Sequence, residues 1–363
     1  MKSILIETIE LFRKEKIYSS LLIFILLFYV TVFFLHRTVG TKNSIHNQNK
    51  QQIEALLKEA SQKPEVIEKR LSERPVLWWL VRVFTVIFIF AFGIGIWLGS
   101  GDLKRLFSKE ELIPSSTQSL SVSWGASDIV KAVLLFFSFG ISFNLLLSFL
   151  KSIFFRAVDS SSLIIVHTSF LDVTTVFFMV FLIKQKGSRL HDLIGFDFPK
   201  IPLQEIWLGI RTYFVALPLF MVILVTLVYI ANRFSYEPPP HPLVEVLLKD
   251  QTTPPWILSY SLFVACIVGP IVEEIFFRGF FYPAVRKYLG IGWTMVITAV
   301  LFAAVHENIF SFVPILFLGF VLCYLYEKRS NLLSCITLHM IHNTAFLVYF
   351  FLMKSVLFSK GAA

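Results

Sequence analysis

The sequence predicts an all-α fold, a polytopic membrane helix bundle of about eight to nine transmembrane helices, and three observations carry that prediction. First, 56% of the 363 residues are hydrophobic, 40 of them Phe, and only 16% are charged. A soluble chain needs roughly a quarter of its residues charged to coat its surface. Second, apolar runs of spanning length recur along the chain, each needing ~20 residues to cross ~30 Å of hydrocarbon. Third, these runs show no strand-like alternation. Backbone groups in hydrocarbon must be paired internally, so the runs are read as helices. The same figures exclude disorder. Cys266, Cys323 and Cys335 lie in or beside apolar runs without the spacing of a zinc knuckle or redox pair, and read as small core residues. The net charge of +9 is what membrane topology and anionic lipid produce by themselves. No basic stripe interleaved with aromatics points to nucleic acid.

The apolar runs fall at 19–35, 76–98, 129–150, 161–183, 206–230 and 256–272, followed by shorter ones at 291–305, 312–326 and 332–353. The first follows Lys2, Arg13, Lys14 and Lys16 in the manner of a signal peptide. Its flank, Leu35-His36-Arg37-Thr38, lacks a small-residue cleavage pattern, so an uncleaved span is expected. Residues 36–75 form a polar insert with eight Lys/Arg and five Glu. Within it Ile53, Leu56 and Leu57, then Val66, Ile67 and Leu71, are spaced like weakly amphipathic helices broken at Pro64. The stretch 100–128, with Pro114 and a Ser/Thr cluster, reads as a loop, and 233–255, with Pro238 to Pro240 and Pro242, as an extended connector. Three regions result: 1–128, with two spans and the insert 36–75; 129–255, the middle helices and Pro-rich connector; and 256–353, where chemistry-bearing residues concentrate. With the N-terminus inside, the cytoplasmic loops carry Lys184, Lys186, Arg189, Lys200, Arg286, Lys287, Lys328 and Arg329.

Ionisable groups at membrane depth cost several kcal/mol unless paired or wetted. Arg82 sits near a span end and can snorkel; Arg211 and Tyr213 open the fifth run and suit an interface; His167 and Asp172 read as polar glue between helices. The last hundred residues differ. Glu273 and Glu274 end the sixth run, and if the helix continues Glu274 and Arg278 lie at i and i+4, acid first, the favourable order for an ion pair. Glu273 lies about 100° around the axis, without an obvious local cation. Adjacent acids with one paired give two environments, one structural and one free to act as a base. Phe302 and His306, and then His339 and Asn343, repeat the i, i+4 spacing on two further apolar helices. Three polar faces on apolar helices are cheapest when turned toward one another around a wet cavity. Such a cavity holds a base to deprotonate water and donors for an oxyanion, the equipment for hydrolysing an amide by direct water attack. A metal shell of Glu273, His306 and His339 is the nearest chemical alternative.

Glu273-Glu274-x-x-x-Arg278, Phe302-x-x-x-His306 and His339-x-x-x-Asn343 resemble, in order and approximate spacing, the three signature motifs of a known family. It comprises the type II CAAX prenyl endopeptidase and bacteriocin-processing (CPBP, or abortive infection) intramembrane proteases. The stretch from Phe317-Leu318-Gly319 to Leu332 also resembles the family's turn before its third motif, and the likeness covers about 256–350. The resemblance implies that Glu273 and His306 activate the attacking water. It implies that His339 and Asn343 form the oxyanion hole, that Glu274 and Arg278 orient the site, and that Phe302 walls it beneath His306. It implies glutamate-dependent chemistry with no cofactor and no metal, a peptide or protein substrate with or without a lipid, and a bacterial inner membrane. His342 is outside the matched positions and reads as core. The chain's own end, Ser359-Lys360-Gly361-Ala362-Ala363, is not a CAAX signal. Two readings compete with the endopeptidase. One is a catalytically silent scaffold of the same fold. The other is a proton- or ion-coupled transporter using Glu273, Glu274 and His306 as a relay, for which no repeat symmetry is apparent.

Overall fold

The computed structural model describes residues 2–38, 68, 71–116, 120–154, 160–196, 202–236, 255–306 and 308–358. The helices expected at 53–71 and the connector at 238–242 thus lie almost wholly outside the described residues. Among those described, the order is α1 (Lys2–Lys14), α2 (Lys16–Thr38), α3 (Pro75–Phe107), α4 (Ala126–Ile153), α5 (Ser160–Gln185), α6 (Leu190–Ile194) and α7 (Leu203–Arg233), then α8 (Pro255–Phe263), α9 (Gly269–Glu274), α10 (Tyr282–Ala304), α11 (Ile309–Arg329) and α12 (Leu332–Phe358). Two π-helical segments, Val264–Val268 and Ile275–Phe281, flank α9. No strand occurs among the described residues. Among the described residues eight helices are long and apolar enough to cross a membrane, so the protein is a multi-pass helical membrane protein.

One of the eight, Trp256–Ala304, has 49 residues, which at ~1.5 Å per residue is more than twice the hydrocarbon thickness. It reverses at Gly290, whose φ of 70° a side chain would strain. Beyond the turn Phe302 comes back onto Phe277, ring centroids 5.2 Å apart. In a straight helix these two residues would be separated by roughly 37 Å, so the segment is a helical hairpin. Its second arm packs along α11 so closely that a Cβ on Gly319 would meet the Ala299 backbone at 3.0 Å. Gly319→Leu is therefore expected to force α10 and α11 apart and lower the unfolding midpoint in detergent by several degrees, about 1–3 kcal/mol of overpacking.

One end of the bundle collects its basic loops. Lys186 reaches Asp128 at 3.7 Å, Arg286 pairs with Glu327 at 2.6 Å, Lys328 with Glu111 at 3.1 Å and Arg329 with Glu205 at 2.5 Å. Lys287 donates to the Trp124 carbonyl. These loops belong to the set assigned to one face by charge alone.

The reading of 100–128 as a loop is corrected at both ends. α3 continues to Phe107 and α4 starts at Ala126. Between them Trp124 is fully buried, stacked on Phe280 at 6.0 Å, with its indole N–H donating to the Phe280 carbonyl at 2.8 Å. Phe280 lies in the second π segment, so that bond gives this loop a structural role. Trp124→Phe is expected to cost about 1 kcal/mol by leaving that carbonyl without its donor, measurable as a lower unfolding midpoint. Arg211 pairs with Asp102 between α7 and α3, and Tyr213 is buried at 7% exposure, so both serve helix packing. Arg82 folds over the Trp78 ring at 3.2 Å, and His167 bonds the Gly140 carbonyl of α4 at 3.1 Å, as glue between helices should.

α1 docks on the same end of the bundle through Glu7, which accepts from Ser127 Oγ at 2.7 Å and from Tyr288 OH. Burial raises the Glu7 pKa, but hydrogen bonds from Tyr288 and Ser127 and the charge of Lys186 outweigh it and hold the group below its ordinary 4.5. A depressed carboxylate contributes stability that is present above its unfolded pKa and lost as pH falls through its folded value. α1 is accordingly expected to loosen in acid below its ordinary carboxylate range. Energy transfer between fluorophores on α1 and α4 would report the loss.

Candidate active site

Glu273 and Glu274 close α9, a single helical turn held between two π segments. A π turn is an inserted residue in a helical ladder and frequently marks a functional position. The helix does continue past the acids, and Arg278 Nη1 donates to Glu274 Oε1 at 2.9 Å with both side chains at 0% exposure. Arg278 Nη2 reaches the Gly319 carbonyl at 3.3 Å, and its guanidinium carbon stands 4.3 Å from the Phe302 ring centroid. A buried cation is thus neutralised by one acid and faced by two aromatic rings, Phe302 and, at 5.9 Å, Phe277.

His339 approaches from α12. Its Nδ1 lies 2.8 Å from Glu274 Oε1, the oxygen that also accepts from Arg278. With Nδ1–H given to the carboxylate, the ring is fixed in orientation and Nε2 is turned toward Glu273. That nitrogen stands 3.9 Å from Glu273 Oε2, beyond hydrogen-bond distance. Glu273 Oε2 is buried and has no hydrogen-bond partner, although the side chain as a whole is 35% exposed. Both acids keep an Oε2 without a hydrogen-bond partner among the described residues, but Glu274 is sealed at 0% exposure with its Oε1 committed to Arg278 and His339, whereas Glu273 is partly exposed.

His306 sits just past the end of α10, with Nδ1 2.7 Å from the Phe302 carbonyl at i−4. That bond spends one ring nitrogen on the backbone and leaves Nε2 for another partner. Phe302 itself, fully buried, has its centroid 5.1 Å from the His306 ring and 5.6 Å from the His339 ring. Its ring is the shared floor on which Arg278, His306 and His339 meet. Asn343, one turn after His339, donates Nδ2 to the Ala265 carbonyl at 2.9 Å, tying α12 to the first π segment. Of the six predicted residues, Arg278, His306 and His339 meet at Phe302, Glu274 joins Arg278 to His339, Glu273 stands 3.9 Å from His339, and Asn343 is turned onto the Ala265 carbonyl. Among the described residues, no three His, Cys, Asp or Glu side chains form a group able to hold a metal ion, so the alternative Glu273, His306 and His339 shell is not assembled.

His342 stacks on Phe220 at 5.0 Å and meets the Tyr213 ring edge, a packing role toward α7. Asp172 departs from the glue expected of it. It lies on α5, which packs against α9, and its electrostatic neighbour is Glu273. Its Oδ2 is buried without a hydrogen-bond partner. Asp172 is thus a further acid near Glu273, contributed from outside the last hundred residues. Only its unexplained presence in an apolar run signalled it in the sequence.

The comparisons with known proteins fall on the same segment. The chain is 30% identical over 83 residues to the "Putative membrane peptidase YdiL" of Bacillus subtilis (strain 168), covering 23% of this chain and 34% of the relative. It is 32% identical over 102 residues to the UPF0177 protein YaiF of Lactococcus lactis subsp. lactis (strain IL1403), covering 26% of this chain and 44% of the relative. The chain thus spans well under half the length of these curated relatives. No solved structure matches significantly. At the level of sequence family, residues 255–345, which hold all six site residues, match the Rce1-like type II CAAX prenyl endopeptidases.

Proposed function

We propose that the protein is an intramembrane endopeptidase of the glutamate type, acting without a metal on a peptide bond of a membrane-associated protein or peptide. The carrying observation is the unequal commitment of the paired acids: Glu274, at 0% exposure, accepts from Arg278 and His339 through Oε1, while Glu273, 35% exposed, stands 3.9 Å from His339 Nε2. In this reading Glu273, with His306, removes a proton from water as its oxygen attacks the substrate carbonyl carbon. The carbonyl π electrons move onto oxygen, and the resulting oxyanion receives hydrogen bonds from protonated His339 Nε2 and from the second N–H of the Asn343 amide. Collapse of the tetrahedral intermediate expels the amine, which takes back the proton held by Glu273 or His306. Glu274 and Arg278 position His339, and Phe302 fixes the angle of His306. The match to bacterial relatives supports a bacterial cell-membrane location.

The test is direct. Purified protein in bilayer vesicles is mixed with membrane-anchored peptides, with and without a prenyl group, in chelator, and products are read by mass spectrometry. Cleavage at defined bonds supports the reading, and the prenyl comparison assigns the substrate class. Cleavage that stops in chelator and returns with a divalent metal overturns the metal-free mechanism. No cleavage of any peptide by a protein that retains its fold overturns the protease reading.

A further inference from the structure

α1 turns two different faces outward and inward. Its inner face holds Leu11, buried at 4% exposure, and Glu7, bound to Ser127 and Tyr288. Its outer face holds Leu5, Ile6 and Ile9, 61%, 49% and 56% exposed. At 100° per residue, Lys2, Leu5, Ile6, Ile9 and Arg13 share roughly a 100° arc. The exposed apolar ridge is therefore bracketed by a cation at each end. It runs on into α2, whose Ile17, Ile23, Leu26 and Leu27 are likewise exposed on a helix of spanning length.

Level is set by the docking bonds. Ser127 is in the first turn of the spanning helix α4, and Tyr288 is beside the tip of the helical hairpin. Both mark an end of the bundle, so α1 lies where hydrocarbon gives way to headgroups. The acids of this segment face other partners: Glu10 pairs with Lys14 at 2.9 Å, Glu15 with Lys131 at 2.5 Å, and Glu7 points inward. Lys2, Arg13 and Lys16 remain on the exposed surface.

We propose that the outer face of α1 is a binding surface for anionic phospholipid, with Leu5, Ile6 and Ile9 inserted among the upper acyl carbons and Lys2, Arg13 and Lys16 on the headgroups. An apolar ridge with flanking cations is the pattern of an interfacial helix, whose binding combines buried apolar area with attraction to anionic lipid. Through Glu7 the helix is also fastened to the hairpin that carries Glu273 and Arg278, so the lipid surface and the candidate site share one rigid element. The proposal does not depend on the site being catalytic.

The full-length Cys266→Ala protein, its other two thiols being buried, is labelled with bimane at Ile9→Cys or, as a control, at Glu10→Cys. It is reconstituted into phosphatidylcholine vesicles with and without phosphatidylglycerol, each carrying a nitroxide high on the acyl chain. Bimane at position 9 is expected to be quenched and at position 10 much less so. Quenching should rise about two-fold or more with phosphatidylglycerol and lose that rise in high salt or in the triple variant Lys2→Gln/Arg13→Gln/Lys16→Gln. Equal quenching in both lipids overturns the anionic preference. Absence of quenching at position 9 overturns the proposal, and crosslinking of two such cysteines would then assign the face to a second copy. Peptide cleavage is not read here, so failure of this proposal and failure of the protease reading are separate outcomes.

Discussion

Glu273→Gln is expected to reduce the cleavage rate by about 10² to 10⁴-fold, the range assigned to a positioned general base, while leaving substrate affinity and fold nearly unchanged. The substitution keeps the shape of the side chain and removes its ability to take a proton. Because Glu273 Oε2 has no hydrogen-bond partner among the described residues, the exchange breaks no bond at that oxygen, and the unfolding curves separate lost chemistry from lost structure. The matched measurement is single-turnover cleavage at saturating and sub-saturating peptide, with an unfolding curve for each protein. A drop confined to kcat fits the proposed role. A rate within about three-fold of wild type, well short of that loss, removes Glu273 from the chemistry.

The second large effect concerns stability. Arg278→Met leaves Glu274, at 0% exposure, without its guanidinium and with His339 as its remaining partner, and breaking a buried pair from one side costs about 3–5 kcal/mol. The double variant Glu274→Leu/Arg278→Met removes both charges and is expected to recover most of that loss, since apolar replacements of buried ion pairs are often neutral or better. Activity should not return with it. Glu274 Oε1 also holds His339 Nδ1, and a Leu at 274 frees that ring to rotate. Thermal unfolding and peptide cleavage measured on the same three proteins separate the two consequences. Recovery of both together would show that the pair serves folding alone.

Much of this molecule is legible from residue order because hydrocarbon is a strict solvent. Long apolar runs become helices for want of any other way to satisfy the backbone, and the few polar residues in them stand out. Glu274 and Arg278 could be paired on paper because four residues separate them. What stayed hidden depends on contacts between distant positions. Trp124 follows a Ser-rich stretch that looks solvated, yet its ring is inserted beneath Phe280. Asp172 is isolated in an apolar run and its neighbour Glu273 is 101 positions away. The π turns at Val264–Val268 and Ile275–Phe281 leave no mark in composition, since they differ from α-helix only in the hydrogen-bond ladder. The extension of α3 to Phe107 escaped notice because its last turns carry Asp102, Lys104 and Arg105, which end an apolar run without ending a helix.

The reversal at Gly290 bears on how the chain is made. A first arm bearing two glutamates and an arginine is a poor candidate to enter a bilayer by itself, each charge near the centre adding about 2.5–3.5 kcal/mol on insertion scales. Its partner arm supplies Phe302 to cover the guanidinium and is only a tight turn away. The two arms are suited to leave the translocation machinery as one unit, so lengthening the turn at Gly290 should show first as failed membrane integration during synthesis.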